Sequence, residues 1–128
     1  ADAAAIDAYL RSLKPIPSPW LENGRLSSRA ERGKEVFQRA GCRNCHPEPL
    51  FTNLRQYDVG TSEGLDAIKM IDTPALVELW RTAPYLHDGR AATLLDVFKG
   101  HNAKNQHGET SALSAQEAGD LLEYVLSQ

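Results

Sequence analysis

At 128 residues and a net charge of −3, the chain is the size of one domain, or one domain plus a fragment, and its mild charge argues against a nucleic-acid binder. No stretch approaches the ~20 consecutive apolar residues of a membrane-spanning helix. Aromatic residues make up only 7%, so a large apolar cofactor at the centre would supply bulk that the side chains do not.

The first segment, Asp2 to Leu13, places Ile6, Tyr9, Leu10 and Leu13 on one face and is predicted as a helix. Lys14-Pro15-Ile16-Pro17-Ser18-Pro19 ends it, because each proline removes a backbone donor and restricts the residue before it. Residues 15–27 therefore read as a stiff, extended linker. Ser28-Arg29-Ala30-Glu31 has the form of a capping box. It predicts a helix with Ala30, Val36 and Phe37 inward, closed by Gly41.

From Pro47 to Pro74 regular signals are few, and the stretch reads mostly as loop. Thr93 is placed to cap a short helix through Leu94, Leu95, Val97 and Phe98 that stops at Gly100. Ser114-Ala115-Gln116-Glu117 is a second capping box, opening a last helix with Ala118, Leu121, Leu122, Val125 and Leu126 inward. No alternating run predicts a sheet, so the expected class is all-α.

Both cysteines fall in one pentapeptide, Cys42-Arg43-Asn44-Cys45-His46. Two thiols at this spacing add across the two vinyl groups of a haem, and the adjacent histidine becomes the proximal iron ligand. A structural zinc site needs two more ligands at short spacing, and there is no second C-x-x-C. A thioredoxin-like pair needs a βαβ context that the pattern lacks, and a disulfide across two residues is strained. The motif predicts one covalent haem c, with Cys42, Cys45 and His46 holding it. The expected fold is then a class I cytochrome c-like domain, its helices wrapped around the haem. Haem c is attached outside the cytoplasm, which implies a periplasmic or other extracytoplasmic location.

An internal similarity bears on domain organisation. Ile6-Asp7-Ala8-Tyr9-Leu10-Arg11-Ser12-Leu13 resembles Leu122-Glu123-Tyr124-Val125-Leu126-Ser127 near the C-terminus. The second of these is the closing helix expected of a cytochrome c domain. Residues 1–14 then read as the closing helix of a preceding haem domain, with residues 28–128 as the cytochrome c domain proper.

Three further motifs carry a family resemblance: Thr73-Pro74-Ala75-Leu76, Thr82-Ala83-Pro84-Tyr85-Leu86-His87-Asp88-Gly89, and Ala92-Thr93-Leu94-Leu95-Asp96-Val97. With the haem motif, they make the chain from about Ser28 onward resemble the C-terminal haem domain of the bacterial dihaem cytochrome c peroxidase and MauG family. The resemblance implies a sixth iron ligand fourteen positions after His87, where typical peroxidases have methionine and MauG-like members tyrosine. Here that position is His101, which departs from both and implies an iron held by His46 and His101. Met70, the only methionine, is the rival ligand, or packs on the porphyrin. The resemblance places His87 near the haem propionates, and Tyr85, in the same motif, is counted among the cofactor-binding residues. Thr82 and Pro84 fall where the family offers carbonyls to an interdomain calcium, but other ligands come from a second domain, so calcium is doubtful. His107, in a polar loop, is expected to be solvated.

A haem with two axial ligands has no vacancy for peroxide and moves single electrons. The expected function is therefore electron transfer within a larger multihaem or peroxidase-like protein, with a redox protein or neighbouring haem domain as partner. The alternatives are the electron-feeding half of a dihaem peroxidase or MauG-type enzyme, and a haem sensor with a displaceable His101. Arg25, Arg29, Arg32, Lys34, Arg39 and Arg43 gather near the motif, whereas the last twenty residues hold four acidic residues and no basic one. This polarity suggests steering of an acidic partner, or else a solvated helix face. Trp20, just after the proline linker, is assigned to packing at a domain interface in preference to a place between two haems.

Overall fold

The computed structural model describes residues 2–62 and 69–128. Among the described residues there are three α-helices, α1 (Asp2–Ser12), α2 (Ser28–Arg39) and α3 (Ala115–Leu126). Between α2 and α3 the chain forms short turns of tighter or wider helix at Cys42–Asn44, Leu79–Arg81 and Asp96–Gly100. The expectation of no sheet needs correction: β1 (Gln56–Tyr57) and β2 (Ile71–Asp72) pair antiparallel, Gln56 opposite Asp72 and Tyr57 opposite Ile71. Strands of two residues are too short to show an alternating pattern, so nothing in the sequence announced them.

Helix α2 starts one residue earlier than the capping box at Ser28 suggested. Ser27 is the cap, its hydroxyl accepting from the Ala30 amide, and the same hydroxyl donates to the Glu123 carboxylate on α3. The cap thus doubles as an interhelix contact, which favours Ser27 over its neighbour. At the other end Gly41 takes a positive φ of 79°, a conformation that suits glycine, and turns the chain into the cysteine motif. The box at Ser114 forms as read, with Glu117 reciprocating.

Helices α2 and α3 pack face to face over Ala30, Val36 and Phe37 on one side and Ala118, Leu121 and Val125 on the other. Gly33 sits at the crossing: a Cβ there would lie 1.9 Å from the Asp120 carbonyl oxygen. Phe37, Phe51 and Tyr124 meet edge to face, with ring centroids 5.3 to 6.3 Å apart. Phe51 brings the loop after the haem motif into this cluster.

The opposed charge biases of the sequence find each other within the fold. Arg32 and Arg29 both bind the buried Asp120 carboxylate, at 2.8 and 3.3 Å, and Arg29 also reaches Glu123. Arg39 pairs with Glu117, and Lys34 with Glu48 at 3.4 Å. Much of the basic cluster is therefore committed to holding α2 on α3, which weakens the reading of it as a steering surface. The Arg32 hydrogen bond, then that of Arg29, holds the Asp120 carboxyl below its usual range, against an opposing effect of burial. Because the folded-state value is depressed, this stabilisation is complete above the ordinary aspartate range near ~4 and is lost as pH falls through the folded value. Asp120→Asn is expected to cost about 2 kcal/mol at neutral pH, moderated by the half-exposed arginines, and to flatten the acid limb of stability. Urea denaturation across pH 3 to 7 checks both.

Candidate haem centre

The site is built where α2 ends. His46 N donates to the Cys42 carbonyl at 2.9 Å, so the pentapeptide closes on itself as one turn. Cys42 and Cys45 are both free and half-buried. Burial pushes the Cys42 thiol up to about 11, the opposite of the activated thiolate that a dithiol redox catalyst needs. Among the described residues no three histidine, cysteine or acidic side chains gather into a separate metal site.

His46 is buried, and its Nδ1 lies 2.8 Å from the Phe51 carbonyl oxygen. A carbonyl at Nδ1 fixes that nitrogen as the protonated one and leaves Nε2, with its lone pair, for a metal. Desolvation lowers the His46 pKa, while the carbonyls of Phe51 and Pro74 act in the opposite sense. A neutral imidazole is thereby favoured, the form that ligates. The Phe51 carbonyl is held in place by the loop behind it: Asn53 N donates to the Cys45 carbonyl at 3.1 Å, and Thr52 Oγ1 to Thr73 O at 2.6 Å. Two thiols at the haem spacing, followed by an imidazole with one nitrogen tied and the other free, fit a haem c.

The remaining expected site residues scatter. Met70 is 51% exposed. His87 is exposed beside Asp88, which pairs with Arg90 at 2.5 Å. Tyr85 donates from its hydroxyl to the Leu79 carbonyl at 3.2 Å, and its backbone bridges to Ala91. Trp20 is 44% exposed. His101 lines a surface cavity of about 190 Å³ with Gly60, Arg90 and Asn102.

The imidazole that faces His46 belongs instead to His107, with ring centroids 6.4 Å apart. The expectation of a solvated His107 is therefore corrected. The ring is partly buried, and desolvation, helped by the charge of His46, pushes its pKa down to about 4. The polar loop around it misled, because its polar side chains turn inward on one another. Asn102, 3% exposed, donates to the carbonyls of His107 and Gly108 and accepts from the His107 amide. Thr110, fully buried, donates to the Phe98 carbonyl, and Lys99 Nζ caps the carbonyls of Thr110 and Leu113. Only Gly108, directly after His107, signalled in sequence that the loop makes a sharp return there.

Comparison with known proteins agrees with this centre. No protein-family model matches the chain. The hydrazine synthase gamma subunit of Kuenenia stuttgartiensis is 46% identical over 63 residues, 48% of this chain and 18% of that subunit. The cytochrome c peroxidase IdrP1 of Denitromonas iodatirespirans is 27% identical over an alignment that takes in 95% of this chain and 48% of the peroxidase. The methylamine utilization protein MauG of Methylorubrum extorquens is 28% identical, over 74% of this chain and 32% of MauG. The chain thus spans about half or less of the length of these relatives.

Among solved structures, Kuenenia stuttgartiensis hydrazine synthase superposes with a TM-score of 0.84 at 30% identity, over 94% of this chain and 52% of that one. A MauG-like protein associated with microbial copper homeostasis shares the fold, with a TM-score of 0.71 at 22% identity, over 97% of this chain and 55% of the other. Motifs, fold and relatives coincide in their likeness to haem proteins of the dihaem cytochrome c peroxidase and MauG-like kind, which this chain resembles.

Proposed function

We propose that residues 28–128 form a cytochrome c domain carrying one covalent haem, and that the domain relays single electrons. The observation that carries the reading is the Cys42, Cys45 and His46 turn, with both thiols free and the Nδ1 of His46 held by the Phe51 carbonyl. Cys42 and Cys45 would hold the porphyrin by thioethers and His46 would bind iron. When bound, haem supplies a one-electron ferric–ferrous couple whose potential its axial ligands tune. The chain's own part is to fix the imidazole through the Phe51 carbonyl and to keep it buried from water, so that little rearranges when the charge changes. Covalent attachment of this kind puts the protein outside the cytoplasm, and no described helix is long and apolar enough to cross a membrane.

After maturation in a host that attaches haem c, a pyridine haemochrome spectrum and intact mass test the first half of this reading. Reversible one-electron voltammetry without peroxide turnover tests the second. Steady peroxide consumption by the isolated domain would move catalysis onto this haem.

A relay inside a larger peroxidase-like protein is favoured by one observation. No residue of α1 is buried, and Ile6, Tyr9, Leu10 and Leu13 are each more than half exposed. We read this apolar face as the closing surface of a neighbouring haem domain, the role that its likeness to α3 suggested. After α1 the chain is tied to the main body by Ile16 N to Glu78 and by the Ser18 hydroxyl to the Leu126 carbonyl. Removal of residues 1–13 is expected to leave the melting temperature within ~2 °C and the haem spectrum unchanged, because no core contact is lost. A thermal melt followed by circular dichroism checks it, and a fall of ~10 °C would show that α1 packs on this domain.

A further inference from the structure

We propose that His107, not His101, supplies the sixth ligand of the haem iron, and that Asn102 is the residue that positions it; the proposal rests on the haem c reading above. Two imidazoles on opposite sides of one metal, each bonded at about 2.0 Å, have ring centroids about 6.3 Å apart. The His46 and His107 rings stand 6.4 Å apart. Their planes are inclined at 38°, which axial imidazoles tolerate because each turns about its own metal bond. Coordination here is lone-pair donation by a neutral nitrogen, so no electron or proton is left unaccounted for.

Two sets of contacts keep the His107 backbone over the haem motif. Glu109 N donates to the Ala40 carbonyl at 2.9 Å, so the loop is pinned to the last turn before the cysteines. Gly108 has φ +77°, and a Cβ on it would lie 3.1 Å from the Ala40 oxygen and 3.6 Å from Cys42 Sγ. The residue after His107 is therefore packed on a thioether-forming sulfur. From the other side Asn102 Nδ2 lies 2.9 Å from the His107 carbonyl, 2.7 Å from that of Gly108 and 2.8 Å from Thr110 Oγ1. Its Oδ1 accepts the His107 amide at 2.8 Å. One buried side chain thus holds both ends of the His107 peptide. His101 begins the same loop, but its amide closes the preceding turn on the Asp96 carbonyl, and its side chain borders the cavity shared with Gly60 and Arg90.

The test uses the full chain matured with haem, with covalent attachment verified by mass in every variant. The wild type is expected to be low-spin when oxidised, with the near-infrared magnetic circular dichroism of two imidazoles. His107→Ala is expected to become predominantly high-spin and to regain the low-spin spectrum on adding imidazole. His107→Met is expected to gain the far-red iron–thioether band and a higher potential, and His101→Ala to keep the wild-type spectrum. A high-spin His101→Ala beside a low-spin His107→Ala would transfer the role to His101. Two low-spin single variants, or a high-spin wild type, would equally overturn the assignment. Absence of covalent haem from the wild type is a different result and overturns the parent reading. For Asn102→Ala, a partial high-spin population and faster carbon monoxide binding after reduction are expected; a wild-type spectrum and rate would remove the positioning role.

Discussion

A chain carrying both Cys42→Ala and Cys45→Ala is expected to emerge from haem maturation without covalent pigment and with its melting temperature lowered by ~15 °C. The two sulfurs are the only thiols present, so no other side chain can form a thioether. Each single variant keeps one attachment and is expected to retain haem at reduced yield, because His46 still offers its free nitrogen. The size of the thermal effect follows from what haem does for a small core. A domain of this length moves by roughly 4 °C per kcal/mol, and losing the cofactor's buried apolar faces costs about 4 kcal/mol after the chain relaxes. Intact mass, the pyridine haemochrome spectrum and a calorimetric melt make the three readings. A double variant that keeps a haem-sized mass increment would require another attachment point, and an unchanged melt would mean that the haem lies outside the core.

The part of this centre written in contiguous residues was legible in the sequence. Cys42, Cys45 and His46 are one turn of chain, and their chemistry demands that order, so no folding was needed to read them. The capping box at Ser114 and the inward face of α3 were legible for the same reason, since both are local patterns with a fixed period. What escaped depends on contacts between distant segments. The Phe51 carbonyl carries no side-chain signature at all. Ser27 outcompetes Ser28 as a cap because Glu123, far along the chain, also needs its hydroxyl. Counting along a family motif reached His101; what a count along the chain does not show is how the loop returns. Asn102 and Gly108 bend that return onto Ala40 and bring the later histidine to His46. The charge pattern was visible in the sequence, but its pairing was not: the arginines of α2 and the acids of α3 answer one another across a helix crossing, a relation invisible until the helices are side by side.

Gly33→Ala is expected to be among the most damaging single substitutions outside the haem motif, lowering stability by more than about 3 kcal/mol and haem incorporation with it. Helix propensity alone points the other way, since alanine in a helix interior gains about 1 kcal/mol over glycine. The crossing of α2 and α3 decides the sign. A Cβ at position 33 would stand 1.9 Å from the Asp120 oxygen, 2.5 Å from its carbonyl carbon and 2.8 Å from Tyr124 Cβ. These are atoms of a facing helix backbone and the root of a buried side chain, so no rotamer change relieves them. The helices must separate, which loosens the Asp120 pairs with Arg29 and Arg32, the Ser27–Glu123 bond and the Phe37–Tyr124 contact together. Because α2 runs directly into Gly41 and the cysteines, a displaced α2 also moves Ala40, on which the His107 loop is pinned. Gly119 on α3 is the control, for a Cβ there meets only the Arg29 Nη2 atom at 2.8 Å, the end of a flexible and half-exposed side chain. Gly119→Ala is expected to be neutral or to gain up to ~1 kcal/mol. Urea midpoints of the two variants, measured on the haem-loaded protein, separate the cases, and equal midpoints would mean that the helices do not cross this closely.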